Sequence, residues 1–450
     1  MALPFAPDLN IRPLEAAQHL AAAGALVNHM LHRAPYSATL DEAALREQLF
    51  APQPPTLFPV QWQARQLLGA WRAGCVVLPM DFDLAGTRRD RAEALAGARL
   101  RLAIRGGVVI RQDLPEGRAE LWPDTDLLKL TSGTSAEPRV VRFGAAQLLA
   151  DGESVCGTMG LTASDRNYGA IAFSHSYGFS NLITPLLCRG IPLIAARDLM
   201  PRALAAGFAA SGATVFPGVP ALFRALAAVG PLGGALRLAI SAGAPLPSAT
   251  ARAFFRQWGL KVHSFYGASE CGGICYDADD NPEVPEGYVG GAMQGVRLRH
   301  PGGTGASSVR VESAAVGHGY FPGGTDDGLA DGQFVPADLL RREGQGYVLA
   351  GRVSDAINVA GRKVNPFEVE GVLAECPGVV EAAAFGLPGG SRGEEVGACI
   401  VGSVSEAALR AHCAQRLPAW QVPKHWFFVG ALPVNARGKL SRAELRERFG

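Results

Sequence analysis

The sequence predicts an α/β protein of more than one domain, with a large N-terminal domain of layered sheets and helices and a small α+β domain at the C-terminus. Three observations carry this expectation. Helix-like and strand-like segments alternate ahead of residue 130, as in layered α/β folds. A chain of 450 residues exceeds the usual size of one hydrophobic core. A firm helix start at Asn365 then opens a separate helix and strand pattern that runs to the end of the chain.

In order, residues 14–32 read as a helix, and Pro52, Pro54 and Pro55 break the pattern. His19, His29 and His32 fall on this first part as surface or packing residues. Trp62, Leu67, Leu68 and Trp71 lie at helical spacing, residues 75–80 read as a strand, and a charged helix over 88–98 precedes a strand over 100–104. Residues 213–220 form a strand leading to a helix with Pro220 in its first turn, where Val219, Leu222, Phe223 and Leu226 repeat at helical spacing. Residues 236–246 and 261–266 are further buried strands. From 289 to 350, glycines and short β runs predict a small barrel-like part. Asn365 and Glu368 form a capping box, Pro366 takes the first helical position, and Val364 with Val369 makes the hydrophobic staple. Strands over 381–387 and 397–404, a helix over 406–416 and a capping box of Ser441 with Glu444 complete the small domain.

Composition narrows the function. Lys and Arg number 42 against 41 Asp and Glu, a formal charge of +1, which gives no electrostatic case for nucleic acid or an anionic membrane surface. A small soluble substrate fits better. The eight cysteines form no C-x-x-C pair, and Cys271 with Cys275 lacks the second pair or histidine of a metal site. Reduced thiols in a cytoplasm are the expectation, with no signal peptide at the start and no apolar run of about 18 residues.

The chemistry concentrates after residue 127. A short apolar run breaks into Thr131, Ser132, Gly133, Thr134 and Ser135, followed by Pro138 and Arg139. Hydroxyls and inward backbone N–H groups around a glycine suit phosphate oxygens, and a guanidinium adds charge-assisted contacts. By itself this composition equally describes a solvated turn between two strands. Further on, His175 and Gly178 stand in Phe173-Ser-His-Ser-Tyr-Gly178. Gly243, Ala244 and Pro245 end a buried strand, where small side chains let a flat base approach. Tyr266-Gly267-Ala-Ser269-Glu270 offers a ring face, a hydroxyl and a hard oxygen ligand for Mg²⁺. Asp338, Arg352, Gly361 and Lys439 follow, Lys439 on a loop before the last helix.

Taken in order, these segments resemble the adenylate-forming superfamily of acyl-CoA synthetases, peptide-synthetase adenylation domains and luciferases, over roughly residues 127 to 446. The resemblance implies the following roles. Thr131 to Ser135 with Arg139 form the phosphate loop, and His175 flanks the acyl carboxylate. Gly243, Ala244 and Pro245 contact adenine, with Tyr266, Gly267 and Ser269 completing the nucleotide site and Glu270 holding Mg²⁺. Asp338 and Arg352 take the ribose, Gly361 lines the thiol channel, and Lys439 bridges carboxylate and α-phosphate. It also implies that the C-terminal domain is mobile, with a boundary at 353/354, and that ATP and Mg²⁺ are used with CoA or a carrier-protein phosphopantetheine as acceptor. The chain departs from the superfamily pattern at Ala136, at Arg139 where lysine is usual, at Ser269 for threonine, and at the hinge position Ser354. The lack of an aspartate at position 175 argues against α-amino acid substrates. His175, Tyr177, Ala242, Ala268, Gly272 and Gly273 are candidates for the acid pocket, with an aromatic carboxylate favoured. A carrier-protein ligase and a non-catalytic binding relative are the alternatives. Competing nucleotide motifs are missing: Gly438-Lys439 is followed by Leu440, and there is no G-x-G-x-x-G.

Overall fold

The computed structural model describes residues 67, 70–71, 75–80, 86–105, 108–114, 122, 124–131, 139–196, 198–301, 305–322, 328–352, 355–389, 393–433, 440 and 442–450. The expected helix over 14–32, the proline break, Ser132 to Ser135, Ser354, Lys439 and Ser441 lie outside them.

A ten-stranded mixed sheet organises the large part of the chain. Its order is Ser307–Ser308, Asp338–Glu343, Gly346–Arg352, Tyr288–Ala292, Gly272–Tyr276, Val262–Ala268, Leu238–Ser241, Val215–Gly218, Asn167–Gly169 and Leu193–Ala195. The five strands from Val262–Ala268 to Leu193–Ala195 are parallel, and pairing becomes antiparallel at Gly272–Tyr276. The parallel strands are short and apolar because helices cover them: Leu238–Ser241 and Val215–Gly218 are buried at every position. Pro220 opens the helix Pro220–Ala227, which turns the expected Phe223 and Leu226 into the core.

The strand pair Leu127–Leu130 and Val140–Phe143 belongs to a second, three-stranded sheet completed by Gly319–Phe321. Residues 75–80 are expected as a strand but, among the described residues, make one isolated bridge, Val77 to Leu127. The charged helix and the strand after it are present as Gly86–Ala96 and Leu100–Arg105. The glycine-rich segment from 289 to 350 divides its strands between the main sheet and a four-stranded antiparallel sheet of Val296–Arg299, Arg310–Ser313, Gln333–Phe334 and Leu329–Ala330.

The C-terminal part has its own core. A three-stranded sheet of Val379–Pro388, Glu394–Gly402 and His425–Phe428 packs with the helices Pro366–Ala374 and Glu406–Ala414 around Val364, Val369, Leu373, Ile400 and Leu409. Asn365 caps the first of these helices by accepting from the Phe367 amide at 3.1 Å, and Val364 and Val369 are both fully buried, as the staple requires. The reciprocal half of the capping box is missing. The Glu368 carboxylate instead accepts from Gln421 Nε2 at 3.3 Å, a tertiary partner that the local sequence could not reveal.

Candidate active site

Gly218, Ser241 and Ala268 end parallel strands on one edge of the main sheet, where ligands of open α/β sheets bind, and Gly243 to Pro245 and Ser269 with Glu270 follow two of these strands. Thr131 and Arg139 close the base of the hydroxyl-rich loop. The Thr131 amide and Oγ1 both donate to the Arg139 carbonyl, at 2.9 and 3.1 Å. The Arg139 guanidinium lies over the Tyr320 ring, 4.0 Å from its centroid. Tyr320 in turn donates through its hydroxyl to Glu270 Oε1 at 2.8 Å. Sequence reasoning missed Tyr320, because its strand is three residues long and becomes significant only by pairing with Val140–Phe143.

Glu270 sits on the turn between Val262–Ala268 and Gly272–Tyr276, and its carbonyl accepts from the Gly317 amide at 2.9 Å. Burial pushes its carboxyl above the usual carboxylate range, with Asp338 adding to the rise; Tyr320 and Arg352 oppose it. Asp338 is buried at the start of its strand. It accepts from the Tyr266 hydroxyl at 2.9 Å on one oxygen and from Arg352 Nε at 2.6 Å on the other. Two charge-assisted hydrogen bonds thus hold the carboxylate in a fixed orientation. Tyr266 is itself buried with its hydroxyl engaged, so its ring is immobilised.

His175 precedes a short helical turn over Ser176–Gly178, which continues as a π-helical turn over Phe179–Ile183. The turn needs Gly178, since a Cβ there would lie 2.0 Å from the Ala172 carbonyl oxygen. The Tyr177 hydroxyl reaches the carbonyls of Gly218 and Ile240 at 3.1 and 3.0 Å, and its ring stacks on Phe265 with centroids 5.7 Å apart. Among the expected pocket residues, Gly273 faces Phe265 and Met293, and Ala242 packs in the same apolar cluster. Gly272 points the other way, towards Asp151. Gly243 is exposed with φ of 88°, a left-handed conformation that suits glycine, followed by half-buried Ala244 and exposed Pro245. Gly267 is exposed and Ser269 half-buried beside Glu270.

Gly361 stands apart. It lies at the tip of the hairpin Ile357–Val359 and Arg362–Val364, exposed and with φ of 82°, and its amide donates to Asn358 Oδ1 at 3.1 Å. Lys129, on the strand that leads into the hydroxyl loop, was also missed. A single cation in the run Leu127-Leu-Lys-Leu130 is its only sequence signal. Burial holds its ammonium below the usual lysine range, offset first by Asp151 and then by Cys271 and Glu270. Among the described residues no group of three or more His, Cys, Asp or Glu could hold a metal ion.

Residues 63–300 match the AMP-binding enzyme family and residues 368–439 match the AMP-binding enzyme C-terminal domain. The chain belongs to the AMP-binding enzyme family. This AMP-binding enzyme is 28% identical to a feruloyl-CoA synthase of Amycolatopsis sp. over 427 residues, 85% of this chain and 86% of that one. It is also 28% identical to the fatty acid–[acyl-carrier-protein] ligase ScoC of Streptomyces coeruleorubidus over 357 residues, 73% of this chain and 69% of the other. Its fold matches ATP-bound MatB from Rhodopseudomonas palustris with a TM-score of 0.74 at 24% identity, covering 96% and 93% of the two chains. All eight cysteines are free thiols, and among the described residues no helix is long and apolar enough to cross a membrane.

Proposed function

We propose that this AMP-binding enzyme activates a small carboxylic acid, favouring an aromatic one, as its acyl-adenylate with release of pyrophosphate, and passes the acyl group to the thiol of CoA. The observation that carries the reading is the chain of contacts that links Arg139, Tyr320, Glu270, Asp338 and Arg352 across two sheets.

A free carboxylate is a poor acyl donor because its leaving group would be oxide. Attack of its oxygen on the α-phosphorus of ATP forms the acyl–phosphate bond and expels pyrophosphate. Attack of a thiol on the acyl carbon then expels AMP. The first step needs in-line positioning and neutralisation of crowded negative charge. In this reading Thr131 and Arg139 mark the phosphate end, Asp338 and Arg352 orient the ribose, and Gly243, Ala244 and Pro245 leave a flat opening for adenine. His175 stands at the carboxylate, and Lys439 supplies the cation between carboxylate and α-phosphate. Tyr266, Gly267 and Ser269 frame the nucleotide, and Gly361 belongs to the thiol channel.

Glu270 fits a divalent cation, because a hard oxygen donor whose charged form is disfavoured by burial gains from one. Mg²⁺ held there would neutralise phosphate charge. Tyr177, Phe265, Met293, Ala242 and Gly273 pack in one apolar cluster beside the His175 segment, and that apolar character supports an aromatic or short acyl group. The reading places the boundary of the mobile C-terminal domain at 353/354 and the enzyme in the cytoplasm.

Likeness to a carrier-protein ligase favours a second reading, in which the acceptor is a carrier-protein phosphopantetheine. Pyrophosphate exchange against a panel of aromatic and aliphatic acids, with wild type and Lys439→Ala, tests the first step. Exchange with one acid that collapses in the variant is the expected result, and no exchange with any acid would overturn it. Thioester formation with CoA, set against formation with a holo carrier protein, then decides the acceptor.

A further inference from the structure

One buried carboxylate joins the two walls of the candidate acid pocket. Asp151, on the helix Ala145–Thr158, is 3% exposed. It accepts from the Ser180 hydroxyl at 2.5 Å on Oδ2 and from the Gly273 amide at 3.0 Å on Oδ1. Ser180 lies in the π-helical turn that follows the His175 segment, and Gly273 lies on the strand just beyond Glu270. The approach is close, since a Cβ on Gly272 would lie 2.0 Å from Asp151 Oδ1. Tyr177 and Gly273, on these same two segments, both border Phe265. The Asp151 hydrogen bonds therefore set the separation of the surfaces against which an acid would pack.

Among the described residues both hydrogen-bond donors to Asp151 are neutral, so its charge gains from a nearby cation. Of the anions that act on buried Lys129, Asp151 contributes most. The lysine is 4% exposed, and its ammonium lies 4.5 Å from the Phe143 ring centroid and 5.5 Å from that of Phe179. Among the described residues its ammonium makes no hydrogen bond or salt bridge. Phe179 is the chain neighbour of Ser180, so cation and carboxylate act on adjacent residues of one turn. A leucine in this apolar strand would avoid the desolvation of a charge, and a lysine is favourable only against a buried anion.

We propose that Lys129 and Asp151 form one positioning pair that holds the turn over 177–183 and the strand Gly272–Tyr276 at the spacing required by the carboxylic acid. This rests on the acid-activation reading above. Neither residue touches the substrate; they act through Ser180 and Gly273.

The test compares Lys129→Met, Asp151→Asn and the double variant of the full chain by pyrophosphate exchange and thermal melting. Each single variant is expected to raise the KM for the acid about tenfold while the KM for ATP stays within about twofold. The charge-free double variant is expected to melt closer to wild type than either single variant, because no buried charge is left alone. Its KM for the acid should stay raised, since one amide oxygen cannot serve both Ser180 and Gly273 fully. Recovery of that KM together with the melting temperature, equal rises in both KM values, or additive melting shifts in an active enzyme would overturn the pair. A wild-type enzyme inactive with every acid would sink the acid-activation reading itself, and the positioning role with it.

Discussion

The Tyr320 hydroxyl donates to Glu270 Oε1 at 2.8 Å while the same ring carries the Arg139 guanidinium at 4.0 Å. One side chain therefore links the base of the loop proposed to hold phosphate to the carboxylate proposed for Mg²⁺. Tyr320→Phe keeps the stack and removes the hydrogen bond. Pyrophosphate exchange should fall about tenfold or more at low Mg²⁺ and recover at high Mg²⁺, since a hydrogen bond to a charged group is worth about 1.5–3 kcal/mol. A loss that no Mg²⁺ concentration repairs would remove Tyr320 from this role.

Arg352→Met leaves Asp338 buried with, among the described residues, the Tyr266 hydroxyl as its hydrogen-bond partner. Stability should drop by about 2–3 kcal/mol, below the range for fully buried pairs because the arginine is partly exposed. The KM for ATP should rise more than the KM for the acid. Thermal melts and initial rates read the two effects separately, and a selective rise in the acid KM would contradict the ribose assignment.

Asp165 supplies the pH dependence. Burial alone would raise its carboxyl, but Arg237, the Thr162 amide and the Thr214 hydroxyl outweigh it and hold the group below its ordinary value of 3.8. A carboxylate depressed in the folded state stabilises fully above the unfolded value, and that contribution fades as pH falls through the folded one. Asp165→Asn should cost about 2 kcal/mol near neutral pH, with the difference from wild type shrinking below about pH 4. Urea melts across that range would show it; a constant difference would mean the carboxylate charge is not involved.

Gly178→Ala places a methyl group 2.0 Å from the Ala172 carbonyl oxygen, and the His175 turn must move to accept it. A loss of about 1–3 kcal/mol is expected, together with a sharp rise in the KM for the acid. An unchanged KM for the acid would place His175 away from the substrate.

The local sequence determined those parts of the chain whose cause is local. The helix start at Asn365 and Pro366, the buried strands Val215–Gly218 and Leu238–Ser241, and the order of the polar motifs all follow from propensity, capping and apolar patterning, which act over a few residues. The same motifs were enough to suggest the family that the comparisons establish. Tertiary structure decided what depends on distant partners. Glu368 left its capping box for Gln421, and residues 75–80 kept an isolated bridge in place of a strand. Tyr320 acquired its importance from Glu270, 50 residues earlier. Lys129 and Asp151 came to flank a turn in which neither resides. Hydrogen bonds and charges act at contact distance, and contact between residues tens of positions apart is created only when the sheets close.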